Sequence, residues 1–499
     1  MDKQYDIIII GSGLGGLQCG VILSRKGYKV LVLEKNKQIG GSLQTFKRNG
    51  CTFSTGIHYI GSLDEGQTLN KIFKYFKLFD GIEYKRLNSD GFDIFNIDGT
   101  EYHFPIGFSN FKKQMYDYFP SEKDAIDKYV AEIKNTVNNQ DIYLLKNAEN
   151  GSSAIGKHLS MNAWDYINSI TKNTRLQQVL SALNFVYAGV KEKSPFYIHA
   201  LINNHFITSS YRIVGNTGLI AKKLKDEIIE NGGDVHTNKK VVNLVINNNK
   251  ISSVETKDHN KYFANNIISD VHPATTMDMI GEGLIKKSFR KRMKNKENTM
   301  SAFGVHISLK KNSLKYINAN YNYYKRDDVW YASYYDEKLW PEHYFLHCGI
   351  PEKESEYTNC IGLLTHMKFE EVARWEELPV NKRGDDYEEF KNKKAKMLIE
   401  LATKNFPQLR NNIVGFNVST PLTYRDYLGT PMGSLYGTLH NFKNPADSYI
   451  SPRTKISNLF FTGQNINLHG MLGVSVSSIL TCGEFVGVNK ILKEINGQA

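Results

Sequence analysis

The feature that most constrains the fold is a strand followed at once by a glycine loop. From Tyr5 the chain reads YDIIIIGSGLGGLQCG, and the run of isoleucines is typical of a strand buried on both faces. The glycines at positions 11, 13 and 16 have the spacing G-x-G-x-x-G. An amphipathic helix and a second strand, YKVLVLE, follow and end at Glu34. The segment therefore predicts a Rossmann-like unit that binds a dinucleotide.

Each position of this loop has a physical role in holding a pyrophosphate. Gly11 permits the tight turn, Gly13 lets the backbone approach the pyrophosphate, and Gly16 lets helix and strand pack closely. The helix N-terminus stabilises the negative charge. Glu34 lies 23 residues after Gly11, close to the spacing of about 20 expected for a carboxylate that binds a ribose hydroxyl. The contacts predicted here are Gly11, Ser12, Gly13, Leu14, Gly15, Gly16, Glu34 and Lys35.

Two remote segments extend the predicted site. After Glu34 the chain continues KNKQIGGSLQTFKRNGCTFSTGIHYIG, and near its end it reads NLFFTGQNINLHGMLGVSVSSIL. Both segments resemble the flavin-binding segments of the amine oxidase and phytoene desaturase superfamily, although Asn465 and Ser54 stand where the resemblance leads one to expect acids. The resemblance implies non-covalently bound FAD. The further contacts it implies are Gly40, Gly41, Ser42, Thr55, Gly56, Gly463, Gln464, Gly470, Met471 and Leu472, with the backbone near Val242 beside the adenine.

Two stretches narrow this resemblance. STGIHYIG and STPLTYRDYLGTPMGSLYG, the latter from Ser419 to Gly437, resemble the branch that contains retinol saturases and plant-type carotenoid isomerases. The likeness covers nearly the whole chain and is thinnest between residues 110 and 210. It implies an α/β fold in which a Rossmann-like FAD-binding domain of the glutathione reductase/amine oxidase type is interwoven with an α+β substrate domain. The predicted FAD-binding ranges are 1–75, 211–272 and 440–499, and the predicted substrate-binding ranges are 76–210 and 273–439.

Local patterns predict several elements of the substrate domain. Asp98-Gly99 between apolar runs favours a hairpin with a type I′ turn. A helix is predicted from Ser121 onwards, and a second hairpin turns at Asn247 to Asn249. The stretch AFGVHISL alternates with period two, which predicts a strand whose apolar side chains line one face of a second sheet. The side chains predicted for that face are Phe303, Val305, Ile307 and Leu309.

The charge and the cysteine content of the chain restrict its expected partners and its expected cellular location. Lys and Arg number 63 and Asp and Glu 51, and this excess of 12 suits an anionic partner, whereas a solvated lysine-rich surface is the plain alternative. The basic run from Lys286 to Lys296 suits an anionic membrane surface, and nucleic acid is not the expected partner. Five widely spaced cysteines indicate neither a metal site nor a disulfide framework. The expected location is cytoplasmic, peripherally at a membrane, because no apolar run reaches the length of a spanning helix.

The resemblance implies chemistry on a lipophilic polyene. A flavin exchanges a hydride with one carbon of a C=C bond while a proton moves at its neighbour, so one site can saturate, desaturate or isomerise. A side chain near the flavin is expected to handle that proton. The candidates are His58, Tyr59, Tyr424 and His469. The alternative for each of them is a structural role, in which the side chain only packs or forms hydrogen bonds.

Alternatives stay open at the level of the sequence. A carotenoid desaturase shares nearly all of these motifs, an amine oxidase needs an aromatic cage that is not evident, and a GDP-dissociation-inhibitor-like carrier of prenylated proteins uses this fold without flavin. The stretch RIVGNTGLIAKKL contains Gly215 and Gly218 but not the full glycine triplet, so no second NAD(P) domain is predicted. The electron donor or acceptor is left undetermined.

Overall fold

The structure of the chain is a computed structural model that describes residues 4–146, 157–350 and 355–498. The residues outside these ranges belong to both predicted domains. They are 1–3 and 499 of the predicted FAD-binding ranges and 147–156 and 351–354 of the predicted substrate-binding ranges. Within the described ranges, no helix has the length and apolar character needed to cross a bilayer.

Strands and helices are numbered along the chain. The strands are β1 (Gln4–Ile10), β2 (Val30–Leu33), β3 (Thr45–Arg48), β4 (Cys51–Ser54), β5 (Ile60–Gly61), β6 (Tyr84–Arg86), β7 (Asp93–Ile97), β8 (Thr100–Phe104), β9 (Ser210–Ile213), β10 (Asp234–His236), β11 (Val241–Asn247), β12 (Lys250–Thr256), β13 (Lys261–Ser269), β14 (Ser301–Leu309), β15 (Leu314–Lys315), β16 (Asn320–Tyr324), β17 (His343–Cys348), β18 (Tyr357–Thr358), β19 (Cys360–Met367), β20 (Ile413–Ser419) and β21 (Leu459–Phe461). The helices are α1 (Leu14–Arg25), α2 (Thr68–Tyr75), α3 (Phe108–Tyr118), α4 (Lys123–Asn138), α5 (Ala163–Ile170), α6 (Thr174–Leu180), α7 (Phe196–Thr208), α8 (Gly218–Glu230), α9 (Pro273–Asp278), α10 (Lys287–Lys294), α11 (Asp385–Thr403), α12 (Pro421–Leu428), α13 (Pro445–Ser448), α14 (Gly470–Val486) and α15 (Val488–Ile495).

The glycine loop follows β1, which is a strand of the first sheet. Its parallel strands lie in the order β10-β2-β1-β13-β21, and the hairpin β11–β12 extends it in antiparallel fashion beside β13. Ile7 and Ile9 pack with α1 and α8 on one face, while Ile8 and Ile10 pack on the other face with Met277 and with residues of α10. The isoleucine run is therefore buried on both faces, as the sequence predicts for a central parallel strand. The same packing places α9 and α10, from the predicted substrate range, against the first sheet.

The second sheet has the order β20-β14-β19-β17-β16-β7-β8 and is antiparallel except between β16 and β7. One face packs on α11, and the four predicted side chains of β14 lie there, which confirms the period-two prediction. The opposite face carries Phe345 of β17 beside Leu364 of β19, and that face looks towards the interior of the molecule. Alternation along the strands thus separates a structural face from a face that can line a cavity.

The two predicted turns, which depend on backbone conformation, are confirmed. Asp98 and Gly99, with φ of 50° and 84°, join β7 to β8 as the type I′ turn requires. The hairpin predicted at Asn247 to Asn249 joins β11 to β12. Helix α4 starts at Lys123, two residues later than predicted, because the chain from Pro120 to Glu122 forms a 3-10 turn and no side chain caps the α-helix.

The prediction concerning disulfides is wrong at one pair of cysteines. Cys51 of β4 and Cys360 of β19 form a disulfide, with Cα atoms 5.8 Å apart and a sequence separation of 309. Cysteine spacing gave no sign of this bond because the contact depends on the tertiary placement of β4 against the second sheet. Cys19, Cys348 and Cys482 are buried as free thiols.

Candidate active site

The glycine loop between β1 and α1 is built by close backbone approaches. Gly11 has φ of 99°, a conformation that favours glycine, and its N–H donates to the carbonyl of Leu33 at the end of β2. A Cβ atom at Gly16 would collide with the carbonyl oxygen of Gly11, so helix and strand approach as closely as the sequence predicts. A Cβ atom at Gly41 would lie 3.2 Å from Cα of Gly13, which brings the second glycine pair against the loop.

Glu34 lies directly after β2 and is buried. Its Oε2 accepts hydrogen bonds from the N–H of Ser12 at 3.1 Å and from the Ser12 hydroxyl at 2.6 Å, while Oε1 accepts from the N–H of Asn36 at 2.7 Å. The Ser12 carbonyl in turn accepts from the N–H of Gly40. The carboxylate therefore fixes the loop relative to β2, in addition to the predicted contact with a ribose.

Asp270 is a further acid of this site that the sequence analysis did not identify. It follows β13, the neighbour of β1, and its carboxyl accepts hydrogen bonds from the N–H groups of Gly13 and Gly16. Cβ atoms at Gly13 and Gly15 would each lie 2.5 Å from one of its carboxyl oxygens, and Gly463 faces the same group. Burial raises the pKa of Asp270 to about 7, and the charge of Glu34 adds to the rise. The carboxyl thus connects the glycine loop to the C-terminal segment after β21.

A central cavity brings together six of the predicted flavin contacts and the four proton-handling candidates. Its empty volume is about 1160 Å³, including the part open to solvent, and its walls come from the second sheet, from the loops after β4 and β21, and from α7, α12 and α14. The predicted residues that line it are Ser42, Thr55, Gly56, His58, Tyr59, Tyr424, His469, Gly470, Met471 and Leu472. Aromatic and aliphatic side chains continue the wall beyond them. The N-terminal and C-terminal segments therefore converge on one space, as the sequence predicts.

Comparison with known proteins agrees with this geometry. Residues 9–76 match the family described as NAD(P)-binding Rossmann-like domain. The all-trans-retinol 13,14-reductase of Danio rerio is 26% identical over 528 residues, which cover 97% of this chain and 86% of that protein. The chloroplastic prolycopene isomerase of Daucus carota is 27% identical over 474 residues, which cover 88% and 72% of the two chains. Over most of its length the chain is therefore similar to proteins named all-trans-retinol 13,14-reductase and prolycopene isomerase.

Solved structures of other proteins share the fold of this chain. Putrescine oxidase bound to putrescine aligns with a TM-score of 0.62 at 12% identity, covering 99% of both chains. Cyclohexylamine oxidase from Brevibacterium oxydans aligns with a TM-score of 0.62 at 15% identity, covering 99% of this chain and all of that one. The amine oxidase-type architecture predicted from the sequence is therefore confirmed.

Two of the proton-handling candidates lie side by side on the loop after β4. The ring of Tyr59 stacks on that of Phe206 with centroids 4.1 Å apart, and its hydroxyl donates to Asp93 at 3.1 Å. His58 stacks on His347 with centroids 3.9 Å apart. Burial lowers the pKa of His58 to about 3, so the imidazole is neutral at neutral pH. In this geometry Tyr59 is an aromatic wall whose proton is directed away from the cavity.

Tyr424 and His469 occupy different elements of the cavity wall. Helix α12 is fixed at its start by a capping box between Thr420 and Thr423 and at its end by Gly429 with φ of 76°, so Tyr424 is held on a well-defined turn. Its hydroxyl has no hydrogen-bond partner among the described residues, and a Cβ atom at Gly304 would lie 3.3 Å from its oxygen. Burial lowers the pKa of His469 to about 4, and the ring is therefore neutral.

Lys35 and Val242 are two of the predicted contacts that do not line the central cavity. The ammonium of Lys35 donates to the carbonyl of Asp426 at 2.7 Å, and burial lowers its pKa. Val242 is 43% exposed on β11. The backbone at Lys239 donates to the carbonyl of Glu34, which brings the start of that hairpin beside the end of β2. A contact of Val242 with an adenine stays a prediction.

The sequence analysis also passed over Tyr436. It lines the cavity, and its ring packs on His469 with centroids 4.5 Å apart. A signal was present, because Tyr436 is the penultimate residue of the stretch STPLTYRDYLGTPMGSLYG, from which only Tyr424 was selected. Asp270 also had a signal, since it is the acid that directly follows the predicted strand FANNIISD. Neither signal distinguishes a site residue without knowledge of which elements become neighbours.

The residues present fit FAD. Helices α1 and α14 both begin at the site with no capping side chain of their own and no acid in their first turns. Asp270 accepts from the amides of Gly13 and Gly16 at the start of α1, so the amides between them and those at the start of α14 are suited to a pyrophosphate and a polar ring edge. A Cβ atom at Gly13, Gly15 or Gly16 would collide with Asp270 or with the carbonyl of Gly11, so only glycine permits this close packing of the loop. Bound FAD would be held by the loop from Gly11 to Gly16, by Glu34, by Ser42 and Thr55, and by the start of α14.

The role of Glu34 leads to a prediction. We expect Glu34→Ala to weaken FAD binding by about 1 to 3 kcal/mol, a loss of roughly 5- to 150-fold, because hydrogen bonds to a charged group are lost and the loop loses its anchor on β2. Fluorescence titration of the apoprotein with FAD measures the dissociation constant. Glu230→Ala, at an exposed position on α8, is the matched control and leaves the constant unchanged. If the dissociation constant for FAD is unaltered in Glu34→Ala, Glu34 has only a structural role at the end of the strand.

Proposed function

We propose that the chain is an FAD-dependent oxidoreductase that acts on a C=C bond of a polyene or similar isoprenoid lipid. The observation that carries this proposal is the continuity of the central cavity, which runs from the predicted flavin contacts into an apolar wall. Relatives named all-trans-retinol 13,14-reductase and prolycopene isomerase span most of the chain. A saturating or isomerising reaction on a conjugated chain is the function most in keeping with both observations.

The apolar wall suits a flat, conjugated substrate. Phe206 stacks on Tyr59, and Phe345 of β17 lies with its centroid 5.8 Å from that of Phe185. Leu201 of α7 and Leu364 of β19 complete this part of the wall. Burial of a polyene here gains about 25 cal/mol for each Å² of apolar surface removed from water, and no described acid lines the cavity to attract an amine.

The mechanism divides between the cofactor and the chain. FAD, when bound, supplies hydride exchange with one carbon of the double bond. The proton at the neighbouring carbon is handled by the hydroxyl of Tyr424, which is free of other partners among the described residues. Burial raises the pKa of Tyr424, so the group is protonated at neutral pH and acts as a proton donor. The stacked rings of Tyr59 and Phe206 orient the polyene and exclude water.

We further propose that FAD is bound non-covalently and that the electrons that reduce it come from a donor outside this chain. No second glycine triplet follows a strand in the sequence, so we expect slow reduction by NADH or NADPH alone and faster reduction by a lipid donor or a low-potential partner. Stopped-flow absorbance follows this reduction. Rapid, saturable bleaching by micromolar NADPH would contradict this part of the proposal.

Flavin content tests the class of protein. We expect purified protein to be yellow and to release FAD, unmodified, on denaturation. A colourless protein that takes up no FAD on reconstitution and binds prenylated peptide would instead favour the flavin-free carrier class. A carotenoid desaturase would also be yellow, and the direction of the reaction with a polyene separates it from a saturase.

A peripheral membrane position is proposed for α10. Lys287 and Lys291 are exposed and form no ion pair among the described residues, and Leu284 just before the helix is 47% exposed. By contrast, Arg290 donates to the carbonyls of Met277, Ile280 and Gly281, so its charge is used within the fold. The free cations and the neighbouring apolar side chain suit an anionic lipid surface.

Vesicle binding tests this surface. Each cation near an anionic bilayer contributes about 1 kcal/mol, so we expect the charge reversals Lys287→Glu and Lys291→Glu together to weaken binding to phosphatidylserine-containing vesicles by at least about tenfold. Binding falls as salt rises, because screening shortens the reach of the attraction. Reversals at Lys393 and Lys396, exposed on α11, serve as the control. Equal, salt-independent binding to neutral and anionic vesicles would remove α10 from the explanation.

A further inference from the structure

Asp270 places a carboxyl group against the loop that is expected to hold the pyrophosphate. The carboxyl accepts from the amides of Gly13 and Gly16, and its Oδ2 is the oxygen nearest to both, 2.5 and 3.2 Å from Cβ atoms built there. Its Oδ1 lies 2.5 Å from a Cβ atom at Gly15 and 2.4 Å from one at Gly463. One oxygen is therefore turned towards the two amides, and the other lies between the loop and the C-terminal segment.

The carboxyl and two glycines of the loop are the partly accessible members of this cluster. Gly11, Gly13 and Asp270 are each partly accessible to solvent, whereas Ser12 and Glu34, which are hydrogen-bonded to each other, are buried. The acid can therefore exchange a proton with solvent. A pyrophosphate that binds the remaining amides at the start of α1 would lie next to this carboxyl and cover it.

The charges around Asp270 oppose its ionised form. Among the described residues, no Lys or Arg forms an ion pair with it, and the charge that acts on it, that of Glu34, has the same sign. Burial raises the pKa of Asp270 to about 7, although the amides of Gly16 and Gly13 act in the opposite direction. A bound pyrophosphate would add a further negative charge and would remove solvent from the acid, and both effects favour the neutral carboxyl.

The other ionisable groups of this region have partners of their own. Glu34 accepts hydrogen bonds from the loop and from the backbone after β2. His272 caps α9, and burial lowers its pKa to about 4, so the ring is neutral near pH 7. The thiol of Cys19 on α1 donates to Thr462. Among the groups whose pKa is displaced here, Asp270 is the one brought close to neutral pH.

We propose that Asp270 is protonated in the FAD complex, so that binding of the cofactor takes up a proton from solvent. This inference rests on the proposed function, since it takes FAD as the molecule held by the glycine loop. In the neutral acid Oδ2 still accepts from the two amides, and Oδ1 carries the proton as a hydrogen-bond donor beside the pyrophosphate site. An ionised Asp270 would instead present an uncompensated negative charge to the pyrophosphate. Asp270 thus makes the affinity for FAD depend on pH.

The test is a titration of the full-length, FAD-free protein with FAD, followed by flavin fluorescence at constant ionic strength. Affinity is highest where the free acid is already neutral and falls as pH rises through about 7. If a pyrophosphate favours the neutral acid by a further factor of about ten, linkage makes the dissociation constant about sixfold larger at pH 8.5 than at pH 6.5. The pyrophosphate of FAD is fully ionised throughout this range and does not contribute to the change.

Asp270→Asn imitates the neutral acid, because its amide supplies an accepting oxygen and a donor in the two positions. We expect this variant to bind FAD within about threefold of the wild-type constant at pH 6.5, and to do so equally well at pH 8.5. Glu230→Gln removes the charge of an exposed acid on α8 and is the matched control, which keeps the wild-type dependence on pH.

Proton uptake by the wild type tests the inference even if Asp270→Asn does not fold. Calorimetric titration with FAD, in two buffers that differ in ionisation enthalpy, gives the number of protons exchanged, and we expect uptake of about half a proton per FAD at pH 7.5. FAD binding without proton uptake, or a pH dependence that survives in folded Asp270→Asn, overturns the inference alone. Absence of FAD binding at both pH values overturns the inference together with the proposed function.

Discussion

We expect Gly13→Val to abolish FAD binding. Gly13 has φ of −62° and ψ of 175°, a conformation open to any residue, so backbone strain is not the cause. The cause is steric, because a Cβ atom there would lie 2.5 Å from Oδ2 of Asp270 on one side, and the branched side chain would enter the space that the pyrophosphate needs. The loop must then move, and the N-terminus of α1 moves with it.

Visible flavin absorbance per polypeptide measures this loss. Circular dichroism establishes that the variant is folded, since a local displacement of the loop leaves the helices intact. Gly281→Val is the matched control: this exposed glycine meets only the flexible tip of Leu284, and flavin content is unchanged. Stoichiometric FAD in Gly13→Val would show that the glycine loop is not the pyrophosphate site.

Tyr424→Phe is expected to lower turnover with a polyene by about 10²- to 10⁴-fold, the range typical of the loss of a positioned proton donor. The substitution removes one oxygen from a buried ring and leaves the capping of α12 intact. Flavin content and polyene affinity should therefore remain close to those of the wild type. Single-turnover absorbance measurements separate the rate of the chemical step from binding.

The same helix supplies a control for Tyr424. Tyr427 lies three residues further along α12 but is 45% exposed, so Tyr427→Phe should leave turnover unchanged. Tyr436→Phe examines the neighbouring hydroxyl in the cavity wall. A large loss of turnover in Tyr436→Phe, together with normal turnover in Tyr424→Phe, would identify Tyr436 as the proton donor. That result would contradict the role proposed for Tyr424.

Features of the fold that depend on local chemistry were predictable from the sequence. The loop from Gly11 to Gly16 requires glycine for backbone conformation and close approach, and Asp98-Gly99 requires positive φ, so both appear as short motifs. The burial of Ile7 to Ile10 follows from an apolar run too continuous for a half-exposed strand. In each case the cause lies within a few residues of the effect.

Features that depend on which strands become neighbours were not predictable in this way. Asp270 faces Gly13 because β13 pairs with β1, across about 260 residues of sequence. Cys51 meets Cys360 for the same kind of reason. The roles of His58 and Tyr59 also diverge only in three dimensions, since one stacks on His347 and the other donates to Asp93.

The most direct test of the central claim is product analysis with a reduced flavin. The FAD-loaded protein is reduced with dithionite, freed of excess reductant, and incubated anaerobically with all-trans-retinol in deuterated water, and the retinoid is examined by mass spectrometry and chromatography. The account predicts a product altered at one C=C bond, either saturated with solvent deuterium at the former double bond and reoxidised flavin, or changed in configuration with the flavin still reduced. Recovery of the retinoid unchanged in mass and configuration, with the flavin still reduced, would contradict it.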